Sequence, residues 1–150
     1  MALVNANYEF VMLDVGMNGR ISDGGVMGHT LFHTMLKNKQ LKLPENRVNV
    51  ANLNFVFAGD EAFSLDEHVL KPYPQRTLNR ERCIFNYRLS LANRVVENAF
   101  GIMAARFRIF HTSINAQPQK VDKYILACCM LHNFLHRNSR NTYTPRITRL

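Results

Sequence analysis

Residues Arg88 to Phe110, RLSLANRVVENAFGIMAARFRIF, form a long helical pattern that carries an acid off its apolar face. Val95, Val96, Ala99, Phe100, Met103 and Phe107 recur at three- and four-residue steps, which lines one wide side of a helix. Glu97 falls elsewhere, in an arc with Arg94, Asn98, Gly101, Ala105 and Arg108, and Gly101 leaves space one turn beyond the carboxylate. Such a helix must bury its apolar side against other elements, while its polar arc can receive a ligand. The ordinary alternative is a solvated glutamate or one paired with Arg94.

A second acid stands where ligands are often held. The apolar run Asn54 to Ala58 closes in Gly59-Asp60-Glu61-Ala62-Phe63, which reads as a short buried strand with Asp60 at its C-terminal end. Open α/β sheets place their ligand crevices there. Asp60 and Glu97 are therefore the candidate site residues, and oxygen donors of this kind suit a hard divalent cation.

At 150 residues the chain suits one domain, and 47% apolar content allows a real core. No apolar run reaches membrane-spanning length, and the N-terminal stretch is interrupted by Asn5, Asn7 and Glu9, so the expectation is a soluble intracellular protein without membrane contact. Three cysteines, two of them adjacent at Cys128 and Cys129, offer no disulfide framework, which fits a reducing compartment. A net charge of +8 favours a polyanionic partner, nucleic acid first, although no compact Lys/Arg cluster reads as a nuclear import signal.

Several further stretches carry a family resemblance. LDVGMNGRISDGGV (Leu13 to Val26), FVFAGDEAF (Phe55 to Phe63), KPYP (Lys71 to Pro74), IFNYRLS (Ile84 to Ser90), RVVENAFGIMAARFRIF (Arg94 to Phe110) and ILACCMLHNFL (Ile125 to Leu135) occur in that order, and together they resemble the PIF/Harbinger transposases and the nucleases derived from them. The resemblance covers nearly the whole chain except the last dozen residues. It implies an α/β fold, a ribonuclease-H-like mixed sheet flanked by helices, carrying a DDE carboxylate triad. The second Asp of that triad matches Asp60 in GDEAF, and the Glu matches Glu97 in VENAF. The first Asp belongs to a DGxH-type strand that has no counterpart in these residues, so the expected domain, residues 1–137, lacks its first strand. The resemblance also implies Mg²⁺ or Mn²⁺ as cofactor, DNA as substrate, nuclear localisation (cytoplasmic until partnered) and a separate Myb/SANT-like protein for DNA recognition.

In chain order, Ala2 to Val4 and Tyr8 to Val15 are strand-like runs around Asn5-Ala6-Asn7, which predicts an opening hairpin. The chain's start within a strand suggests a fragment of a longer product. A glycine-rich loop around Arg20 leads to Val26, Leu31, Phe32, Met35 and Leu36, which predict a helix ending before Pro44, with Ser22 or Asp23 as its cap. Asp14 and Asp23 read as structural rather than catalytic acids. Ser64-Leu65-Asp66-Glu67 has capping-box spacing and predicts a short helix that stops by Pro72.

Lys71, Arg76, Arg80, Arg82, Arg88 and Arg94 face one acid, Glu81, across the segment joining the two candidate carboxylates, with Tyr73, Phe85 and Tyr87 interleaved. These six cations are the candidate nucleic-acid contacts. Val121, Tyr124, Ile125, Cys128, Leu131 and Leu135 predict a packed helix, and residues 138–150 a mobile basic tail. His29/His33 and His132/His136, the latter with Cys128 one turn before, have the spacing of helical metal ligands. They read more simply as packed or solvated histidines, since a structural zinc needs four ligands and HExxH is absent. No cysteine has the companions of a nucleophile, and no phosphate-binding glycine fingerprint is present. Two functions follow: a metal-dependent DDE endonuclease or transposase domain cutting DNA phosphodiesters, or a non-cleaving remnant that binds DNA or protein. Oligomeric state and target sequence are not legible.

Overall fold

The computed structural model describes residues 1–16, 27–44 and 55–143. The described elements are β1 (Ala2–Val4), β2 (Phe10–Leu13), α1 (Leu31–Lys37), β3 (Phe57–Ala58), β4 (Val69–Leu70), α2 (Arg80–Arg106), α3 (Pro118–Asn138) and α4 (Arg140–Tyr143), with single 3-10 turns at Gln75–Thr77 and Arg108–His111. Helices and small sheets thus make a mixed α/β architecture. Chain packing divides it into two units, Met1–Gly16 with Arg94–Leu150, and Met17–Asn93. Among the described residues no helix is long and apolar enough to cross a membrane.

In the first unit, β1 and β2 form the expected antiparallel hairpin, with Ala2 opposite Leu13 and Val4 opposite Phe10. Asn5 organises its turn: its side-chain Oδ1 accepts from the Asn7 and Glu9 amides at 2.9 and 3.1 Å, and its carbonyl accepts from Tyr8 N at 2.9 Å. Tyr8 then sits at φ +60°, the left-handed residue that closes a three-residue hairpin loop. A bulge follows between Leu3 and Val4, opposite which the 66% exposed Val11 is the extra residue.

The hairpin is bound to α3 through side-chain amides rather than a sheet ladder. Asn133 Oδ1 accepts from Phe10 N, and Asn133 Nδ2 donates to Phe10 O, both at 2.8 Å. Phe10 is thereby seated in a core with Ala99 and Met103 of α2 and Cys128 and Cys129 of α3, ringed by Val4, Leu13, Phe107, Ile109, Phe110 and Ile125. Ala99 and Met103 confirm the apolar face of α2; Phe100, at its edge, is 40% exposed while its ring meets Phe10 at 5.2 Å. α2 ends at Arg106, four residues before the expected Phe110, because Phe107 turns extended and the 3-10 turn carries Ile109 and Phe110 back onto the core.

α3 begins at Pro118, a residue whose missing N–H costs nothing in the first turn, and runs to Asn138. The packed chain continues past the expected boundary at residue 137. Tyr143 is buried, and Arg106 donates to the carbonyls of Thr142 and Tyr143, so residues 138–143 belong to the fold rather than to a basic tail. Residues 144–150 lie outside the described set.

In the second unit, β3 and β4 pair in parallel, Phe57 beside Val69 and Ala58 beside Leu70. The strand before Asp60 is short and open rather than buried: Phe55 and Val56 are 43% and 42% exposed. The helix expected from Ser64 does not form. Asp66 instead spends its carboxylate on His68 N at 3.1 Å and bridges to Val69, and Leu65 is 71% exposed, so a helix there would have no apolar side to bury. α1 is capped by Thr30, whose Oγ1 accepts from His33 N at 3.1 Å; the expected caps Ser22 and Asp23 lie outside the described residues. Phe32 of α1 packs edge-on against Phe57 of β3 at 5.0 Å.

Candidate active site and nucleic-acid surface

Asp60 sits in a loop that is fastened at every turn. Gly59 N donates to Leu70 O at 2.8 Å, and Gly59 O accepts from Asn93 Nδ2 of α2 at 3.1 Å. A side chain at Gly59 would put its Cβ 2.9 Å from the Phe63 ring, so glycine is required for that ring to close over the loop. Asp60 Oδ1 accepts from Ala62 N at 2.9 Å, an Asx turn, and Lys71 Nζ donates to Glu61 O and Phe63 O at 3.1 and 2.9 Å. The result is an exposed carboxylate on a fixed backbone, with Oδ2 lacking a protein partner among the described residues.

Glu97 lies in the other unit, on α2, directed away from Ala99 and Met103. It is exposed, and it forms no ion pair with Arg94 or any other described residue. Nothing lies within 4 Å of a Cβ built at Gly101, so the space expected one turn beyond the glutamate exists. Among the described residues no three His, Cys, Asp or Glu side chains group to hold a metal. Each of the two candidate acids, taken by itself, offers carboxylate oxygens of the kind that suit a hard divalent ion.

The six candidate nucleic-acid cations divide by role. Lys71 is committed to the Asp60 loop, and Arg82 donates to Thr77 O at 2.7 Å with its guanidinium 4.8 Å from the Tyr73 ring centre. Arg76, Arg80, Arg88 and Arg94 are exposed and open to solvent phosphate. Tyr73 is held by Asn86, which donates to its carbonyl at 2.9 Å and accepts from its amide at 2.8 Å, and its ring meets Phe85 edge-on at 5.2 Å.

Of the histidine pair on α3, His132 is structural. His132 is fully buried, with Nε2 2.8 Å from Tyr8 O and Nδ1 2.8 Å from the Tyr143 hydroxyl. A carbonyl can only accept, so Nε2 carries the proton and Nδ1 accepts from Tyr143; both nitrogens are used, leaving none for a metal. Burial holds the imidazole below its ordinary pKa, and the same cause raises the Cys129 thiol to about 11, which leaves it inert as a nucleophile.

The comparison that decides the family covers most of the chain: residues 1–133 match the model of the DDE superfamily endonuclease. The chain belongs to the DDE superfamily endonuclease family. Over 140 residues it is also 27% identical to a protein of Arabidopsis thaliana described as Protein ALP1-like, covering 89% of this chain and 34% of that relative. The chain therefore spans about a third of the length of that curated relative. No solved structure matches.

Within this DDE superfamily domain, the supporting residues were hidden from sequence. Asn93 stands four residues before Glu97 in α2, yet its bond to Gly59 joins positions 34 apart, and Lys71, a candidate phosphate contact, also holds two carbonyls of the Asp60 loop. The one available signal was compositional: asparagines inside helical patterns, at Asn86, Asn93 and Asn133, are poor helix formers there unless their amides are engaged.

Proposed function

We propose that the chain is a metal-dependent endonuclease domain acting on DNA phosphodiesters, of the PIF/Harbinger transposase-derived branch and with a ribonuclease-H-like fold. The observation that carries this reading is the match of residues 1–133 to the DDE superfamily endonuclease. Asp60 and Glu97 are proposed as the ligands of Mg²⁺ or Mn²⁺. Both are exposed carboxylates without a cation partner among the described residues, and hard divalent ions favour such oxygens. When bound, the ion supplies Lewis acidity at a phosphoryl oxygen and promotes ionisation of the attacking water.

The chain's own residues do the positioning. The Asx turn fixes the Asp60 carboxylate through Oδ1 and the Lys71 clamp fixes the loop backbone, so Oδ2 is the oxygen held ready for a cation with little reorganisation. Arg76, Arg80, Arg88 and Arg94 hold backbone phosphates, with affinity falling as salt rises. Action in the nucleus, beside a separate Myb/SANT-like protein that reads sequence, belongs to the same proposal.

The test is Mg²⁺- or Mn²⁺-dependent nicking of plasmid DNA by the protein and by its Asp60→Asn and Glu97→Gln forms. Nicking lost in both variants supports the assignment. Salt-sensitive DNA binding without any metal-dependent cleavage would replace it with a non-cleaving binding module.

A further inference from the structure

The inward side of α3 is fully occupied by Cys128, Cys129, His132 and His136, all buried. Its outward side is apolar as well. Tyr124 is 42% exposed, Met130 70%, Leu131 49% and Phe134 62%, with exposed Ala127 between them. These positions fall at three- and four-residue steps, so they form one continuous stripe of ~15 Å along the helix. A helix facing only water carries lysine or glutamate at such positions; two apolar sides mark a helix meant to be covered twice.

The polar residues beside the stripe indicate the partner. Lys120 and Lys123 stand exposed at its N-terminal end, and the stripe itself carries no carboxylate. Asp122 is turned the other way, its Oδ2 against Gly16, and Glu9 is spent on Arg137 at 2.7 Å. A second copy of this chain would bring another +8 of charge to an already cationic face, so self-pairing is opposed. Nucleic acid would answer the lysines but leave four large apolar side chains in water.

We propose that this face of α3 docks an amphipathic helix of a partner protein, one that presents apolar residues at matching spacing with aspartate or glutamate at its flanks. The helix-on-helix geometry suits the stripe, Phe134 and Tyr124 supply aromatic anchors, and the flexible Met130 lets the surface adapt. The inference is independent of the nuclease reading, because no residue of the stripe belongs to the candidate site.

The test is fluorescence anisotropy of a labelled synthetic helix carrying leucine at three- and four-residue spacing and glutamate on its flanks, titrated with the full chain. Two controls share its length: a scrambled peptide of the same composition and a version with lysine for glutamate. The expected result is saturable binding that weakens about tenfold or more with either control, and about tenfold or more with Met130→Glu or Phe134→Glu. Both substitutions fall on well-exposed positions, and unchanged circular dichroism and thermal midpoint keep loss of fold out of the comparison. Equal binding of the scrambled peptide, or indifference to both substitutions, overturns the proposal. So does a Met130-dependent self-association in sedimentation, or a Met130-dependent association with phosphatidylserine–phosphatidylcholine vesicles, since each assigns the face to another occupant.

Discussion

His132 and Tyr143 are joined by a buried hydrogen bond of 2.8 Å in which the phenol donates to Nδ1, and this bond ties the C-terminal turn to the helix that holds the hairpin. Burial raises the Tyr143 hydroxyl to a pKa of about 12, so it remains a donor at every ordinary pH. Replacing Tyr143 by Phe leaves Nδ1 as an unsatisfied buried acceptor. The expected loss is about 1–3 kcal/mol of stability, read as a lower urea midpoint with unchanged m-value.

Acid should destabilise the fold in two steps. His132 has a folded pKa below its ordinary 6.5, so the unfolded chain binds more protons there; stability is complete above about 6.5 and declines as pH falls below it. Glu9 acts lower down. Its hydrogen bond from Arg137, then that from Asn5, holds it at about 2 against an ordinary 4.5, and the stability so conferred is lost as pH falls between those values. Arg137 is 65% exposed, so solvent screening keeps this second step the smaller one. Urea midpoints across pH should lose the upper step in His132→Asn and the lower step in Arg137→Ala; a flat profile in the parent protein would contradict both.

Asn133 should be irreplaceable even by its closest relative. Aspartate keeps the acceptor for Phe10 N but sets a carboxylate oxygen against Phe10 O in place of a donor. Asn133→Asp should therefore destabilise by about 2 kcal/mol or more, no less than Asn133→Ala, measured by denaturant titration.

Asp60→Asn and Glu97→Gln should abolish metal-dependent cleavage while leaving thermal stability within about 0.5 kcal/mol, since both side chains are exposed. Asparagine also keeps the Oδ1 that accepts from Ala62 N. Lys71→Ala is expected to behave differently, lowering activity through a loosened loop, with weaker resistance to proteolysis at residues 60–63 as the separating measurement.

Neutralising Arg76, Arg80 and Arg88 together should reduce the slope of log affinity for duplex DNA against log salt by about one unit per arginine that meets a phosphate. Arg82→Gln should change the slope less, because its guanidinium is already held by Thr77 O and the Tyr73 ring. A slope that ignores all four substitutions would remove this surface from the DNA interface.

What sequence made legible follows the range of the forces involved. The periodicity of Val95 to Phe107 and of Val121 to Leu135 is local, and α2 and α3 stand where it placed them, although α2 begins eight residues before Arg88, at Arg80, and α3 three residues before Val121, at Pro118. The opening hairpin and the open space at Gly101 were likewise readable. A misreading came where short polar side chains had two local uses: Ser64 offered a helix cap, but Asp66 closed an Asx turn on His68 N instead. The contacts that organise the hairpin and the Asp60 loop, Asn133 to Phe10 and Asn93 to Gly59, span 123 and 34 positions, and no window of sequence contains both partners.

The phenol buried against His132 also gives the molecule a built-in optical gauge. With five tyrosines and no tryptophan, the chain's near-ultraviolet emission is tyrosine emission alone. A phenol hydrogen-bonded to an imidazole can pass its proton on in the excited state, so Tyr143 is expected to be dim while residues 140–143 are docked and to brighten when they leave. The seating of the last helical turn can thus be followed by light, without a label, as the rest of the fold is perturbed.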